Sequence, residues 1–338
     1  MPSSGPSRVL IAAIVLAAVA VALVAVRATV RRLEAEAPPR GVFATTEGGR
    51  VHVLRRDPAN TVRADVLLIH GASGNAADMM EALGDRLAGR GFRVWAADRP
   101  GHGWSDRPSD GASPARQARM LRAAMEALGV QRAIVLGHSL GGAVADNFAI
   151  DHGDFAVAVV LVSPVTHRWP GGIRWYYSAA AAPVVGPLFA SFVALPVGLA
   201  TFGSVVAAVF EPQSPPPDYV ARTGARLVLR PSEFVANARD VAALKAFVTE
   251  QAPREATVRV PVAIVSGDDN DTIVSTTIHS VASARTIPGA TLTILPGMGH
   301  APHWAAPDVV VAAVEEVYGR SGGPRVSSAP MRHPVPHP

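Results

Sequence analysis

Cysteine is absent from the 338-residue chain, which excludes disulfides, a thiolate nucleophile and a cysteine-ligated zinc ribbon. Lysine is nearly absent too: Lys245 stands alone among 31 basic residues, and all the others are Arg. These Arg are scattered and form no stripe, so a net charge of +4 gives no footprint for nucleic acid. Charge of either sign is scarce. Only 17% of residues are charged against 49% hydrophobic, which excludes a disordered chain and leaves enough apolar matter for a large core and for membrane contact. The length suits one large domain or a domain carrying a sizeable insertion.

What is present begins with Val9 to Val26, an unbroken run of 18 apolar residues between Arg8 and Arg27. At about 1.5 Å per residue it nearly crosses a hydrocarbon core of roughly 30 Å. The run predicts a single membrane anchor. The alternative is a cleaved signal peptide, for which Ala18-Val19-Ala20 is a small-residue site, although it lies inside the run. Arg27, Arg31 and Arg32 outnumber Arg8 and lean towards a cytoplasmic face for the remainder of the chain, while the short N-terminal tail eases the opposite insertion.

Residues 1–40 therefore read as anchor and linker. After them strands and helices alternate. Val66-Leu67-Leu68-Ile69, Arg93 to Ala97, Ala133 to Leu136 and Val157 to Val162 have the short apolar character of buried strands. Between them Ala76 to Ala88, Pro114 to Leu128 and Gly142 to Ile150 have helical spacing, with Ser113 as an N-cap before Pro114. This rhythm implies βαβ units and a mostly parallel sheet over residues 41–165. It stops in residues 166–255, where Trp175 to Phe210 carries no charge yet contains Pro183, Gly186, Pro187 and Pro196. So many breaks predict a lid of short helices rather than a second span. Residues 256–320 resume the rhythm with Val260 to Val265, Thr291 to Leu295 and Asp308 to Tyr318, and 321–338 read as a disordered tail.

The chemistry centres on Gly137-His138-Ser139-Leu140-Gly141-Gly142, placed after a strand and before a helix. Small neighbours allow a sharp turn that exposes the Ser139 hydroxyl, while the helix start directs N–H groups at a developing oxyanion. A serine hydroxyl needs a base. His300, beyond the last strand, is the candidate, with His303 its rival; His52, His152, His167, His279, His333 and His337 read as surface or structural. The acid belongs on the loop after the preceding strand, Ser266-Gly267-Asp268-Asp269-Asn270-Asp271, giving the order Ser, acid, His. The oxyanion donors are the backbone N–H of Leu140 and, in the turn His70-Gly71-Ala72-Ser73-Gly74, that of Ala72.

With His70-Gly71, Asp98-Arg99-Pro100-Gly101-His102-Gly103-Trp104-Ser105, the serine turn and Gly299-His300 in that order, the chain resembles the α/β-hydrolase superfamily over residues 41–320. The resemblance implies an eight-stranded, mostly parallel sheet flanked by helices, a helical cap inserted after strand 6, and neither cofactor nor metal. It also implies a structural role for His102. One departure concerns the acid. The family places it three positions after the strand-ending Gly, where this chain has Asn270, so the Asp-Thr-Ile-Val run favours Asp271 with Asp269 as runner-up. Serine at the turn argues against the Asp-nucleophile dehalogenases and epoxide hydrolases. The implied activity is cleavage of a small apolar or lipid-like ester through an acyl-enzyme, with Phe192 and Phe202 of the uncharged stretch as candidate substrate contacts. C–C bond hydrolysis, peracid formation and amide cleavage use the same triad. A catalytically silent, membrane-anchored binding module is the reading from another class.

Overall fold

The computed structural model describes residues 8–323. The greater part of the tail expected at 321–338 lies outside the described residues, as do His333 and His337.

Eight strands form one sheet: β1 (Val42–Thr46), β2 (Gly49–Arg56), β3 (Ala64–Ile69), β4 (Phe92–Ala97), β5 (Ala133–His138), β6 (Ala156–Val162), β7 (Val262–Gly267) and β8 (Thr291–Leu295). Their spatial order is β1-β2-β4-β3-β5-β6-β7-β8. The two pairings that involve β2 are antiparallel and every other pairing is parallel. Residues β3 to β7 are buried on both faces, which explains their continuous apolar runs. Successive side chains still divide between the faces. Leu67 and Ile69 join the core beneath the helices Pro114–Ala127 and Leu140–Asp151. Val66 and Leu68 join a second core with Met79, Leu83 and Leu87 on one side and Val310 and Val314 of the helix Pro307–Arg320 on the other. Ser113 caps Pro114–Ala127, its hydroxyl accepting from the Arg116 N–H.

The helices Trp175–Ala181, Val185–Phe189, Leu195–Phe210, Tyr219–Thr223 and Pro231–Gln251 lie in the chain between β6 and β7, two strands that pair directly. Here the helices are less broken than the prolines predict. Val185–Phe210 runs on as 26 helical residues. Pro187 falls in the first turn, where a missing N–H is harmless, and Pro196 follows a wide π-turn at Ala190–Ala194 that relieves the clash of its ring with the preceding turn. Among the described residues, this helix and Arg8–Glu36 are the two that are long and apolar enough to cross a membrane. Arg8–Glu36 projects with its apolar run exposed and buries only its C-terminal end, at Leu33.

Candidate active site

The connection from β5 to the helix Leu140–Asp151 is so tight that Ser139 takes φ 55° and ψ −119°, a left-handed conformation that a side chain rarely adopts. Three backbone hydrogen bonds hold it there. The Ser139 N–H donates to Val162 O at 3.0 Å, and the Ser139 carbonyl accepts from Gly142 at 2.9 Å and Val165 at 3.1 Å. Gly141 is required by the close approach of β3: a Cβ there would collide with the carbonyl oxygens of Ile69 and His70.

His300 comes from the loop after β8 and Asp271 from the loop after β7. His300 Nε2 lies 3.0 Å from Ser139 Oγ, and His300 Nδ1 lies 2.9 Å from Asp271 Oδ2. All three side chains are buried. The second carboxylate oxygen of Asp271 accepts from the Ile273 N–H at 3.0 Å and the Val274 N–H at 2.9 Å, which fixes the carboxylate plane. Asp269 is exposed on the same loop, and Asp268 is used elsewhere, accepting from the N–H groups of Asn270 and Gly297. His303 does not reach Ser139 in this arrangement. It is buried 3.5 Å from Asp78, its ring 4.2 Å from that of His138.

Two further contacts hold the histidine loop. His138 donates through Nε2 to the His300 carbonyl at 2.9 Å, and burial, together with His303 and His300 beside it, pushes the His138 imidazole well below its ordinary range and keeps it neutral. Gln213, from the connection between β6 and β7, accepts from Gly299 N–H at 3.0 Å and donates to Gly297 O at 2.8 Å. Sequence reasoning missed Gln213, because no motif marks a residue 84 positions from its partner.

The turn after β3 lies against the serine. A Cβ on Gly71 would come 3.0 Å from Ser139 Cβ, so the backbone there passes directly beside Ser139. Leu140 is the first residue of its helix, with its N–H outside the intrahelical ladder. Arg99 fixes the turn from behind: Nε donates to His70 O at 3.0 Å, Nη2 to Gly71 O at 3.1 Å, and Nη1 pairs with buried Asp240 at 2.6 Å. His70 is neutral in this network, with Nε2 accepting from Arg99 N–H and Nδ1–H donating to Gly71 O. Burial, and after it the Arg99 charge, pushes its pKa down to about 3. His102 is likewise buried against Arg99 and Asn237.

A cavity of about 400 Å³ opens beside this arrangement, bounded by Gly71, Ala72, His138, Ala301 and His303 at the inner end. Phe189, Val193, Val197, Thr201, Val205 and Val209, each four residues from the last, form a helical stripe along its outer wall. Phe202 also lines the cavity. Phe192 does not: it falls off the stripe and faces outward, so the expectation of a substrate contact there is corrected. Asp78 sits at the inner end, accepting from Tyr219 Oη and Trp304 Nε1, each at 2.9 Å. Burial alone would raise this carboxyl, but the His303 imidazole and the Trp304 N–H outweigh it and hold the group below the usual range.

The family model of the alpha/beta hydrolase fold matches residues 66–307. The chain belongs to this family. Among its relatives, the chain is similar to part of the dihydrolipoyllysine-residue acetyltransferase component of the acetoin cleaving system of Cupriavidus necator, 37% identical over 123 residues, which are 36% of this chain and 32% of that protein. The 2-hydroxymuconate semialdehyde hydrolase of Pseudomonas putida is 33% identical over 121 residues, covering 34% of this chain and 43% of that protein. The matched stretch thus spans less than half the length of either relative. Among solved structures, a thermophilic esterase from Thermogutta terrifontis superposes with a TM-score of 0.64 at 22% identity, over 83% of this chain and 99% of the other, a likeness of fold.

Proposed function

We propose that this α/β-hydrolase is a serine hydrolase that cleaves an apolar carboxylic ester. The observation that carries the reading is the aligned pair of contacts, Ser139 Oγ to His300 Nε2 at 3.0 Å and His300 Nδ1 to Asp271 at 2.9 Å. As Ser139 Oγ attacks the ester carbonyl carbon, its proton passes to His300 Nε2, and Asp271 supports the imidazolium. The oxyanion is received by the N–H groups of Leu140 and Ala72. Collapse expels the alcohol, which takes the proton from His300. Water then attacks the acyl-enzyme while giving a proton to His300, and collapse of this second intermediate returns the proton to Ser139 and releases the acid. Residues 166–255 act as the lid, Phe202 contacts the acyl part, and Arg8–Glu36 anchors the enzyme in a membrane.

C–C bond hydrolysis is the second reading, favoured by the identity to the P. putida hydrolase. Against it, the cavity wall carries the carboxylate of Asp78 and neither Arg nor Lys among the described residues, so an anionic substrate meets no counter-charge there. The test is labelling with a fluorophosphonate, followed by turnover of p-nitrophenyl esters of increasing acyl length. Wild type is expected to label, and Ser139→Ala to lose both labelling and about 10³-fold or more of the turnover. Undiminished turnover in Ser139→Ala overturns the triad, and absence of labelling in the wild type supports the silent binding module. An optimum at acetate would count against an apolar acyl site.

A further inference from the structure

We propose that the exposed apolar face of the segment between β6 and β7 lies in the interfacial layer of a phospholipid bilayer, so that the cavity beside Ser139 fills from the membrane rather than from bulk water. The inference rests on the reading of Arg8–Glu36 as an anchor and adds to it a place and orientation for the catalytic domain.

The first observation is where the anchor ends. Val26, the last residue of the apolar run, packs on the same cluster as Leu33, together with Leu195, Phe202, Val206 and Leu229. From Val26 to Leu33 the helix advances about 10 Å. The polar layer on each side of a bilayer is about 5–8 Å thick. A membrane that holds Val9 to Val26 therefore reaches the segment carrying the cavity wall. The junction is fixed: Glu34 pairs with Arg230 at 3.2 Å, and Trp104 Nε1 donates to the Ala37 carbonyl at 3.2 Å. The domain is thus held in one orientation at the end of the anchor.

The second observation is the chemistry of the face presented. Val184 is 78% exposed, Leu188 58% and Val197 55%, in a stretch without charge from Trp175 to Phe210. In water such a surface is costly; in the interfacial layer it is matched. Trp175, 70% exposed and followed by Tyr176 and Tyr177, is of the residue type that settles at headgroup depth. Arg27, Arg31 and Arg32 are exposed where the anchor leaves the hydrocarbon, placed to meet phosphates.

The third observation is the mouth. Trp175, Val197 and Val205 both line the cavity and are exposed, so the opening lies in this apolar face. A second span at Val185–Phe210 would fit the composition, but would withdraw Leu195, Phe202 and Phe210 from their buried positions and dismantle the cavity wall.

The chain's lack of cysteine supplies the experiment. Val184→Cys, Leu188→Cys and, at the opposite end of β5, the exposed control Gln131→Cys are each labelled with an environment-sensitive fluorophore in the full chain, which is then reconstituted into phosphatidylcholine vesicles. The expected result is co-flotation with vesicles, blue-shifted emission at 184 and 188, and quenching there by a lipid bearing a nitroxide near its headgroup. The label at 131 should answer only to aqueous iodide. Failure to co-float removes the anchor reading and the inference with it. Co-flotation with 184 and 188 quenched by iodide like 131 overturns the inference alone. So does strongest quenching by a nitroxide at the chain end, which means a second span, or shielding from both quenchers, which means a second copy of the chain. A functional arm uses the double variant Val184→Asp and Leu188→Asp, neither of which lines the cavity. Hydrolysis of a long-chain ester dissolved in the vesicles is expected to fall about tenfold, as two lost apolar contacts imply, while a water-soluble butyrate ester is turned over as before. An equal effect on both substrates, or none on either, overturns the proposal.

Discussion

Ser139, Asp271 and His300 illustrate how one residue's neighbours decide its use. Three aspartates crowd the loop after β7, at 268, 269 and 271, and their chemistry is identical in solution. In the fold Asp268 ties the loop to Gly297, Asp269 faces water, and Asp271 alone turns inward with two amides fixing it beneath His300. Asp271→Asn is therefore expected to lower kcat by about 10³–10⁴-fold, because an amide donates where the imidazole N–H needs an acceptor. Asp269→Asn should stay within about twofold of wild type. Steady-state kinetics on a soluble ester decides it; a larger loss at 269 would refute the assignment. At this scale the meeting of Ser139 and His300 was legible from motif and order. That Asp271, and not Asp269, lies beside His300 was legible only as a preference, since a loop one residue longer shifts every side chain's direction. Phe192 was not legible: in an uncharged stretch both phases of the helix look apolar, and the π-turn at Ala190–Ala194 selects which one faces the cavity.

The turn after β3 and the loop after β4 form one buried polar unit around Arg99, His70, His102 and Asp240. Its histidines are neutral, which ties the fold to pH. His70 has a folded pKa of about 3 against an ordinary value of 6.5, so the unfolded chain binds the extra proton first. Its contribution is complete above about pH 6.5 and is lost as the pH falls from there towards 3. His279, lowered by burial and by His167 to about 4, acts in the same direction. Thermal melting should therefore fall steadily between pH 7 and pH 4. His70→Asn is expected to melt lower at pH 7 yet decline less across that window. A parallel decline in both proteins would show that His70 has no share in it. The elements themselves were legible wherever burial on both faces gave continuous apolar runs, as in β3 to β7. The hairpin of β1 and β2 was not, because half-exposed strands such as Val42–Thr46 carry no such run. Gln213 and Asp78 escaped for another reason, since their partners are supplied by distant loops and only folding brings them together.

For the molecule as a whole, Leu33 makes the helix Arg8–Glu36 part of the packing of the segment between β6 and β7, the segment that the proposed reading treats as a lid and the helix it treats as an anchor. Full-length protein is expected to stay with membranes after a carbonate wash. A chain beginning at Gly41 should leave them yet lose thermal stability, because Leu33 no longer covers Phe202 and Leu229. Release of the full-length chain by carbonate would refute the anchor. The insertion between β6 and β7 has a consequence in time. These strands are hydrogen-bonded neighbours, with Val159 opposite Val262, but roughly 100 residues separate them along the chain. Their pairing closes a long loop, whereas β5 and β6 are joined by a single helix and meet early. Ser139 is thus delivered with the first half of the sheet, and Asp271 and His300 arrive only when β7 and β8 are added. During refolding, burial of Trp95 on β4 should precede the return of fluorophosphonate reactivity, so that the chain passes through a stage in which Ser139 is in place without His300 and Asp271 beside it.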